Sequence, residues 1–438
     1  MSKDADVEGL NTAVKEGLNL SSDEKKYDRW ALRDESTIDY GYLAQTYGAG
    51  INRVNKETDK TFYLTTAINY TNGPAHMGHA YEGATSDVIS RFQRLKGDRP
   101  CYFVTGADEH GQKIAATAEK EGKQPQEICD KVRERYSLKL FCFCILFSHK
   151  TFFVVCDTQY VTGFKTLNQR LLVSNDDYVR TTSDRHKRVA RELWKRCHAN
   201  GDIYLDTYAG WYNVREETFV TDLTAEMDDF KDPTTGKPLK RVEEESYLFK
   251  MSAYADKLIQ HIKDNPDFIR PEQHRNNILS RLTSDPLRDL AISRTTFSWG
   301  IKVPEGFNDN HVMYVWIDAL SNYLTGIDYF GTNGDNKEGI EKFWPSDVHI
   351  IGKDILWFHT VIWPCLLMSA GIPLPASVYL HGFVNDREGK KMSKSIGNVV
   401  DPHDVLDQSH VDSFRWYVFA NEILWNNEKL FQLLRNRC

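Results

Sequence analysis

No uninterrupted apolar stretch in this 438-residue sequence is long enough to cross a bilayer. The longest, LFCFCILF and TFFVVC between Leu140 and Cys156, fall well short of the roughly 20 residues a spanning helix needs. Cysteine is sparse and scattered, at positions 101, 129, 142, 144, 156, 197, 365 and 438. Cys142 and Cys144 have one residue between them, where a zinc knuckle has two. Free thiols, a reducing compartment and no bound metal are therefore expected. The first residues, MSKDADVEGLNTAVKEG, contain neither the apolar core of a secretory signal nor the Arg-rich, acid-poor character of a transit peptide, so the expected address is the cytoplasm. A cationic excess is also absent. With a net charge of −7 the chain has no general attraction for a polyanion, and any contact with nucleic acid must come from local basic surface.

What is present is an ordinary globular composition, 41% hydrophobic and 27% charged, in a chain long enough for two or three domains. Residues 1–58 are polar, with helical character only near Val7–Leu20, and read as a surface extension. From Thr61 the pattern becomes that of an α/β fold. TFYLTTA reads as a buried strand, NYTNGPAH as a turn, and Met77 to Lys96 as a helix closed by Gly97. CYFVTG is the next strand, with helices from about Gln112 and Pro125. Strand, turn and helix repeated in this way predict a doubly wound parallel sheet of Rossmann-like form, over 59–177 and 272–385. An inserted α+β domain is expected to split it at 178–271, and the start of a helical region to follow from 386. In the second half, SDVHIIG and SVYLHG read as strands and DILWFHTVIWPCLLMSAG as the helix between them. Asp401 and Pro402 are set to cap a closing helix. Residues 137–173 fit none of this. They read as a buried strand pair or as an insertion foreign to the fold.

Two elements carry chemistry. Pro74-Ala75-His76-Met77-Gly78-His79 sits where the first strand gives way to the long helix, and a helix N-terminus offers unpaired N–H groups and positive partial charge to a phosphate. Gly78 lets a base or ribose lie against the backbone, while His76 and His79, three residues apart, share a face. Taken by itself, such a turn is more often an ordinary capped loop. The second element is Lys390-Lys391-Met392-Ser393-Lys394-Ser395 after Gly389, a cationic segment suited to closing over a pyrophosphate leaving group. In isolation it is more often a solvated basic loop.

H-x-G-H after the first strand and K-M-S-K-S after the last, in that order, resemble class I aminoacyl-tRNA synthetases. TGADEHGQKI (105–114), AISR (291–294), YVWIDALSNYLTG (314–326), IGKDILWFHTVIWP (351–364) and LHGFVNDREGKKMSKSIGNVVDP (380–402) are similar to the methionyl branch in particular. The resemblance covers about 61–136 and 174–420. It implies ligation of methionine to tRNA(Met) through methionyl-adenylate, with ATP as substrate and Mg²⁺ on its phosphates. It implies catalytic roles for His76, His79, Lys391 and Lys394. ATP contacts are implied for Gly78, Glu82, Gly352, Asp354, His381 and Val384. Methionine contacts are implied for Ile68, Asp108, Trp316, Ala319, Tyr323, Phe358 and His359, with Asp108 holding the ammonium. The residue types agree, because aromatic faces suit a polarizable thioether and a donor near sulfur adds selectivity.

The sequence departs from that family in three ways. AGWYNVREETFVTD (209–222) has no cysteine where many relatives carry Cys-x-x-Cys knuckles, so a zinc-free insertion is expected. Ala67-Ile68-Asn69-Tyr70 and Leu320 replace residues common around the pocket. The chain also closes soon after Ser395, so tRNA charging is expected to be weaker than adenylate formation, in a protein expected to be monomeric. The basic stretch Arg180, Arg185, Lys187, Arg188, Arg191, Lys195 and Arg196 reads first as a solvated helix face and second as an RNA surface. Two rivals stand beside the ligase reading: a small-molecule adenylyltransferase sharing the H-x-G-H turn, and a synthetase-like binding protein without catalysis.

Overall fold

Phe62–Thr66 (β1) is buried along its whole length, and alternate residues serve opposite faces, as strand geometry requires. Phe62 and Leu64 enter one apolar cluster, with Phe103, Phe164, Val348 and Ile350, while Tyr63 enters the other, with Val104, Ile351 and Leu380. A strand covered on both sides reads as a continuous apolar run, which is why it is legible in the sequence. This structure, a computed structural model, describes residues 60–130, 160–213, 218–220, 222–233, 236–332, 340–382 and 400–426.

Four strands come first: β1, β2 (Asn69–Tyr70), β3 (Cys101–Asp108) and β4 (Asp177–Arg180). Between them run the helices α1 (Met77–Lys96), α2 (Gln112–Glu121), α3 (Pro125–Asp130) and α4 (Tyr160–Arg170), with α5 (Asp184–Ala199) following. The chain then leaves this layer for an antiparallel sheet of β5 (Ile203–Asn213), β6 (Thr218–Val220) and β7 (Lys240–Phe249). It returns for β8 (Ile269–Arg270), and leaves again for β9 (Leu290–Ala291) beside β7 and for the two-stranded ladder of β10 (Ser293–Arg294) and β11 (Val312–Met313). The first layer is completed by β12 (Val348–Gly352) and β13 (Val378–His381).

All pairings in the first layer are parallel. β3 lies between β4 and the β1–β2 segment, and the order continues β1, β12, β13, β8. From β1 the chain therefore builds outward through β3 to β4, and on the other side through β12 and β13. The gap between β1 and β12 is the switch point, where ligands bind outside the carboxyl ends of parallel strands. Along β3 the register shifts by one residue between Thr65↔Val104 and Asn69↔Ala107, so Thr66–Ile68 bulge out of the ladder at that carboxyl edge.

The parallel sheet agrees with the sequence, and three details differ. The strand β4 falls across the expected boundary at 178, and β8 places Ile269–Arg270 in the parallel sheet, while β9 adds a later segment to the antiparallel one. From Tyr160 the anomalous segment is helical, while its apolar runs, read as a strand pair or a foreign insertion, lie outside the described residues. Val161, Phe164, Leu167 and Leu171 recur at helical spacing and are buried, a period that the apolar runs just upstream obscured. Third, the expected helix over 354–371 is present without a break over 353–369, but it opens as a 3₁₀ turn (Lys353–Ile355) and carries a π-helical turn (Phe358–Ile362) ahead of its last α-helical turns (Trp363–Ser369).

One ion pair fastens the lower ends of the central strands. Arg99, ahead of β3, binds both oxygens of Asp347, at 2.9 and 2.7 Å, and donates to the carbonyls of Lys60 and Thr61. Asp347, ahead of β12, also accepts from the Tyr63 N–H at 3.0 Å. Removing that carboxylate strands a buried N–H and a half-buried guanidinium. Asp347→Ala should therefore cost about 3 kcal/mol of unfolding free energy, measured by denaturant titration, whereas an ordinary surface substitution changes it by about 0.5 kcal/mol or less.

Candidate active site

At the carboxyl edge of β1 the chain turns through 71–76 and enters α1. His76 is the N-cap, with extended backbone (φ −137°, ψ 174°), and its Nδ1 accepts from the Gly78 N–H at 3.1 Å. His79 reciprocates: its Nδ1 accepts from the His76 N–H, also at 3.1 Å. This is a capping box built from two imidazoles. A nitrogen that accepts carries no proton, so in each neutral ring the proton sits on Nε2, across the ring from the backbone. The rings stack at 3.7 Å between centroids, and Phe164 of α4 meets His79 edge-on at 4.8 Å. A Cβ at position 78 would lie 3.0 Å from Nδ1 and Cε1 of His76, so the capped conformation itself calls for glycine. The phosphate-binding features of the turn, a helix N-terminus and two Nε2–H donors, thus follow from one local structure.

A second cluster gathers at the ends of β12 and β13. Gly352 and His381 are register partners, and a Cβ on Gly352 would sit 3.0 Å from Oδ1 of Asp354 and 3.7 Å from Cε1 of His381. His381 Nε2 lies 3.0 Å from Oε2 of Glu82 on α1, and its Nδ1 donates to the Gly382 carbonyl at 2.8 Å. Burial alone would lower the His381 pKa. The Glu82 carboxylate and the Gly382 carbonyl outweigh it and raise the pKa above the ordinary value of 6.5, so the imidazolium is the favoured form. Glu82, Gly352, Asp354 and His381 are brought together as the sequence anticipated, and Val384, Lys391 and Lys394 lie outside the described residues.

The aromatic group assembles on the other side of the switch point. Trp316 and Phe358 stack face to face, 3.6 Å between centroids and 8° apart, and His359 meets Trp316 edge-on. The Tyr323 hydroxyl donates to His359 Nε2 at 2.6 Å, while His359 Nδ1 donates to the Ile355 carbonyl at 3.0 Å. Burial pushes the His359 pKa down to about 4, so the ring is neutral, as that pattern of one donor and one acceptor demands. From the sequence, the group Trp316, Tyr323, Phe358 and His359 is expected to supply both aromatic faces and a donor near a ligand sulfur. In the folded protein the Tyr323 and His359 protons are committed to protein acceptors, and what the group offers is a stiff, polarizable wall. Ala319 is buried on the same short helix as Trp316, Val315–Leu320. Ile68 lies in the bulge after β1 against Gly106.

Asp108 ends β3 almost wholly buried, its carbonyl receiving the Thr71 N–H and hydroxyl and its Oδ1 receiving the His110 N–H at 3.3 Å. Behind it lies a polar network that the sequence did not single out. His110 Nδ1 is 2.6 Å from Oδ2 of Asp318, and His186 Nε2 is 2.8 Å from Oδ1. The Glu109 carboxylate, fully buried, takes Nε and Nη2 of Arg180 and the Thr182 hydroxyl. Burial by itself would raise the Asp318 pKa, but the two imidazoles outweigh it and hold it down to about 2. His110 and Asp318 stand inside TGADEHGQKI and YVWIDALSNYLTG, so charged letters in otherwise apolar or small-residue runs were the available signal. His186 had none, since its helix is polar and basic.

That basic stretch is largely engaged within the protein. Besides Arg180, Arg185 chelates Asp177 at 2.8 Å through both nitrogens, Arg191 donates to the Lys302 carbonyl, and Arg196 pairs with Glu192 and lies over Phe330.

Comparison with known proteins places this geometry. The family described as tRNA synthetases class I (M) matches residues 62–152, 154–230 and 226–432. A methionine-tRNA ligase of Rhizobium meliloti (strain 1021) is 45% identical over 369 residues, 84% of this chain and 64% of that protein. The ligase of Bacillus subtilis (strain 168) is 41% identical over 384 residues, 86% of this chain and 52% of its own length. Among solved structures, Mycobacterium tuberculosis methionyl-tRNA synthetase in complex with methionyl-adenylate superposes with a TM-score of 0.70 at 41% identity, over 82% of this chain and 64% of that one. The chain therefore spans between about half and two thirds of the length of these relatives. With matches of this extent and identity on both sides of the switch point, the chain belongs to the class I tRNA synthetases of the M type.

Proposed function

We propose that this chain binds ATP and methionine at the carboxyl edge of its parallel sheet and joins them as methionyl-adenylate, releasing pyrophosphate, as the first half of methionine-tRNA ligation. The observation that carries the reading is the meeting, around the β1–β12 switch point, of an imidazole-capped helix N-terminus with an aromatic wall. The solved relative that holds methionyl-adenylate supports it.

In this reading the methionine carboxylate attacks the α-phosphorus of ATP and the bond to the β-phosphate oxygen breaks. The first turn of α1 and the Nε2–H groups of His76 and His79 face the phosphates. Gly352 gives the adenosine an approach, with Asp354, Glu82, Gly78 and His381 around it. Asp108 takes the ammonium. Trp316, Phe358, Tyr323, His359, Ala319 and Ile68 enclose the thioether by shape and dispersion, not by donated hydrogen bonds. Lys391 and Lys394 supply positive charge to the transition state, and Val384 contacts the adenosine. Mg²⁺ accompanies ATP, held by phosphate oxygens and water. The inserted sheet works without zinc. Transfer to tRNA(Met) completes the reaction, supported in this stretch of chain by the catalytic layer and not by the internally paired arginines around α5. Buried thiols at Cys129, Cys197 and Cys365 suit a reducing compartment, and the cytoplasm is the proposed address of a monomeric enzyme. Among the described residues no helix is long and apolar enough to cross a membrane.

Methionine-dependent exchange of pyrophosphate into ATP is the direct test, run beside isoleucine, leucine, valine and cysteine; exchange with none of them would favour the non-catalytic rival. His79→Ala and Lys394→Ala should each lower kcat for exchange by about 10²-fold, if each removes one transition-state contact. A raised KM for ATP at unchanged kcat would assign them to ground-state binding. Because Glu82 is the main group raising the His381 pKa, Glu82→Gln leaves only the Gly382 carbonyl and Asp354 against burial and should move the His381 titration to lower pH, read by NMR from the ring proton. The sign follows from the linkage. In the parent protein His381 stabilises the fold below its unfolded pKa near 6.5, a contribution lost as pH rises through the higher folded value.

A further inference from the structure

The His110–Asp318–His186 cluster is buried, and its hydrogen bonds among the described residues run to the amino-acid side of the site. Its place in the chain is what gives it consequence. His110 lies two residues from Asp108 and donates its N–H to the Asp108 carboxylate. Asp318 lies between Trp316 and Ala319 on the helix Val315–Leu320. The ammonium site at the end of β3 and the side-chain wall on that helix are separated by more than two hundred residues of sequence, and they are joined through one carboxylate.

The orientation of that carboxylate is fixed. A carboxylate only accepts, so His186 Nε2–H donates to Asp318 at 2.8 Å, while Nδ1 meets the Thr325 hydroxyl at 3.0 Å. His186 therefore cannot rotate without losing one partner. His110 is held on its other side by Trp299, edge-on at 5.2 Å, whose Nε1–H donates to the Glu109 carbonyl at 2.7 Å. Each oxygen of Asp318 thus meets one imidazole that is itself fixed by a different element, β3 with its following turn for His110 and α5 for His186.

We propose that Asp318 is a positioning residue of the amino-acid site, setting the distance between the ammonium-binding Asp108 and the Trp316–Phe358 wall through His110, with His186 fixing its rotamer. This rests on the adenylate-forming reading above. Substrates that use both ends of the site feel the bridge, and those that use one end do not.

The test is a double-mutant cycle on methionine binding and exchange. Asp318→Asn keeps size and removes charge; it should raise the KM for methionine about tenfold, within the range for coupled residues in one hydrogen-bonded network, with the KM for ATP unchanged. In an Asp108→Asn background the same change should have little further effect, because the contact it positions is already gone. Equal and additive effects in both backgrounds would overturn the proposal, as would parallel rises in the KM for methionine and for ATP. If Asp318→Asn does not fold, His110 decides. His110→Ala should reproduce the rise and His110→Asn, whose amide nitrogen can still reach Asp318, should restore most of the parent KM. No difference between those two variants would also overturn it. A parent protein that shows no methionine-dependent exchange would instead fail the functional reading, so the two failures are distinguishable.

Discussion

Everything at the switch point hangs on how the first backbone N–H groups of α1 are satisfied. A helix start must find acceptors for them, usually a serine or aspartate oxygen. Here imidazole nitrogens take that place, and the substitution has effects an oxygen cap would not have. Accepting at Nδ1 fixes the tautomer, stacking of the two rings fixes their tilt, and Phe164 closes the far side. The same rings therefore finish the helix and carry the N–H groups that a phosphate would meet. Structural and chemical roles cannot be separated here.

Charge at this site is managed by pairing, not by solvent. Asp318, Glu109 and Asp87 are buried carboxylates, each with cationic or imidazole partners: His110 and His186, Arg180, and Arg91 with Arg415 respectively. A buried carboxylate without such partners would be driven toward its neutral form. Arg415 deserves note because it reaches Asp87 on α1 from the helix Val411–Asn426, and Arg170 of α4 reaches Asp407 in the helix Pro402–Gln408. The region beyond the last parallel strand is thereby anchored on the back of the signature helix, away from its capped end.

Much of this was legible in the sequence for physical reasons that differ by element. β1, β3, β12 and β13 announce themselves because strands covered on both faces are rich in β-branched and aromatic residues, and α1 because Gly97 (φ 72°) closes it where an L residue would be strained. The capped turn that holds His76 and His79 was likewise readable, because it stands where the first strand gives way to the long helix. The internal hydrogen bonding of Tyr323 and His359 was not, because donors are committed by tertiary partners, here the Ile355 carbonyl and the opposing ring. Nor was His186 legible, since a lone histidine on a basic helix looks like one more solvated residue until its inward face is known. The helix α4 was hidden by a different effect. Apolar runs upstream swamped a clear three-and-four spacing that begins only at Val161.

The π-helical turn at Phe358–Ile362 has a consequence for how this region tolerates change in length. Such a turn amounts to an α-helix holding one surplus residue. Loss of a single residue there would leave a regular helix, with hydrogen bonding intact, but would turn the preceding residues by about 100° relative to those that follow. Trp363 and Leu367 would keep their places in the core, while Phe358 would leave Trp316 and His359 would leave Tyr323. Such a deletion would thus keep the helix and dismantle the aromatic wall, so the surplus residue marks a point where length is constrained by side-chain packing more tightly than by the helix's own hydrogen bonding.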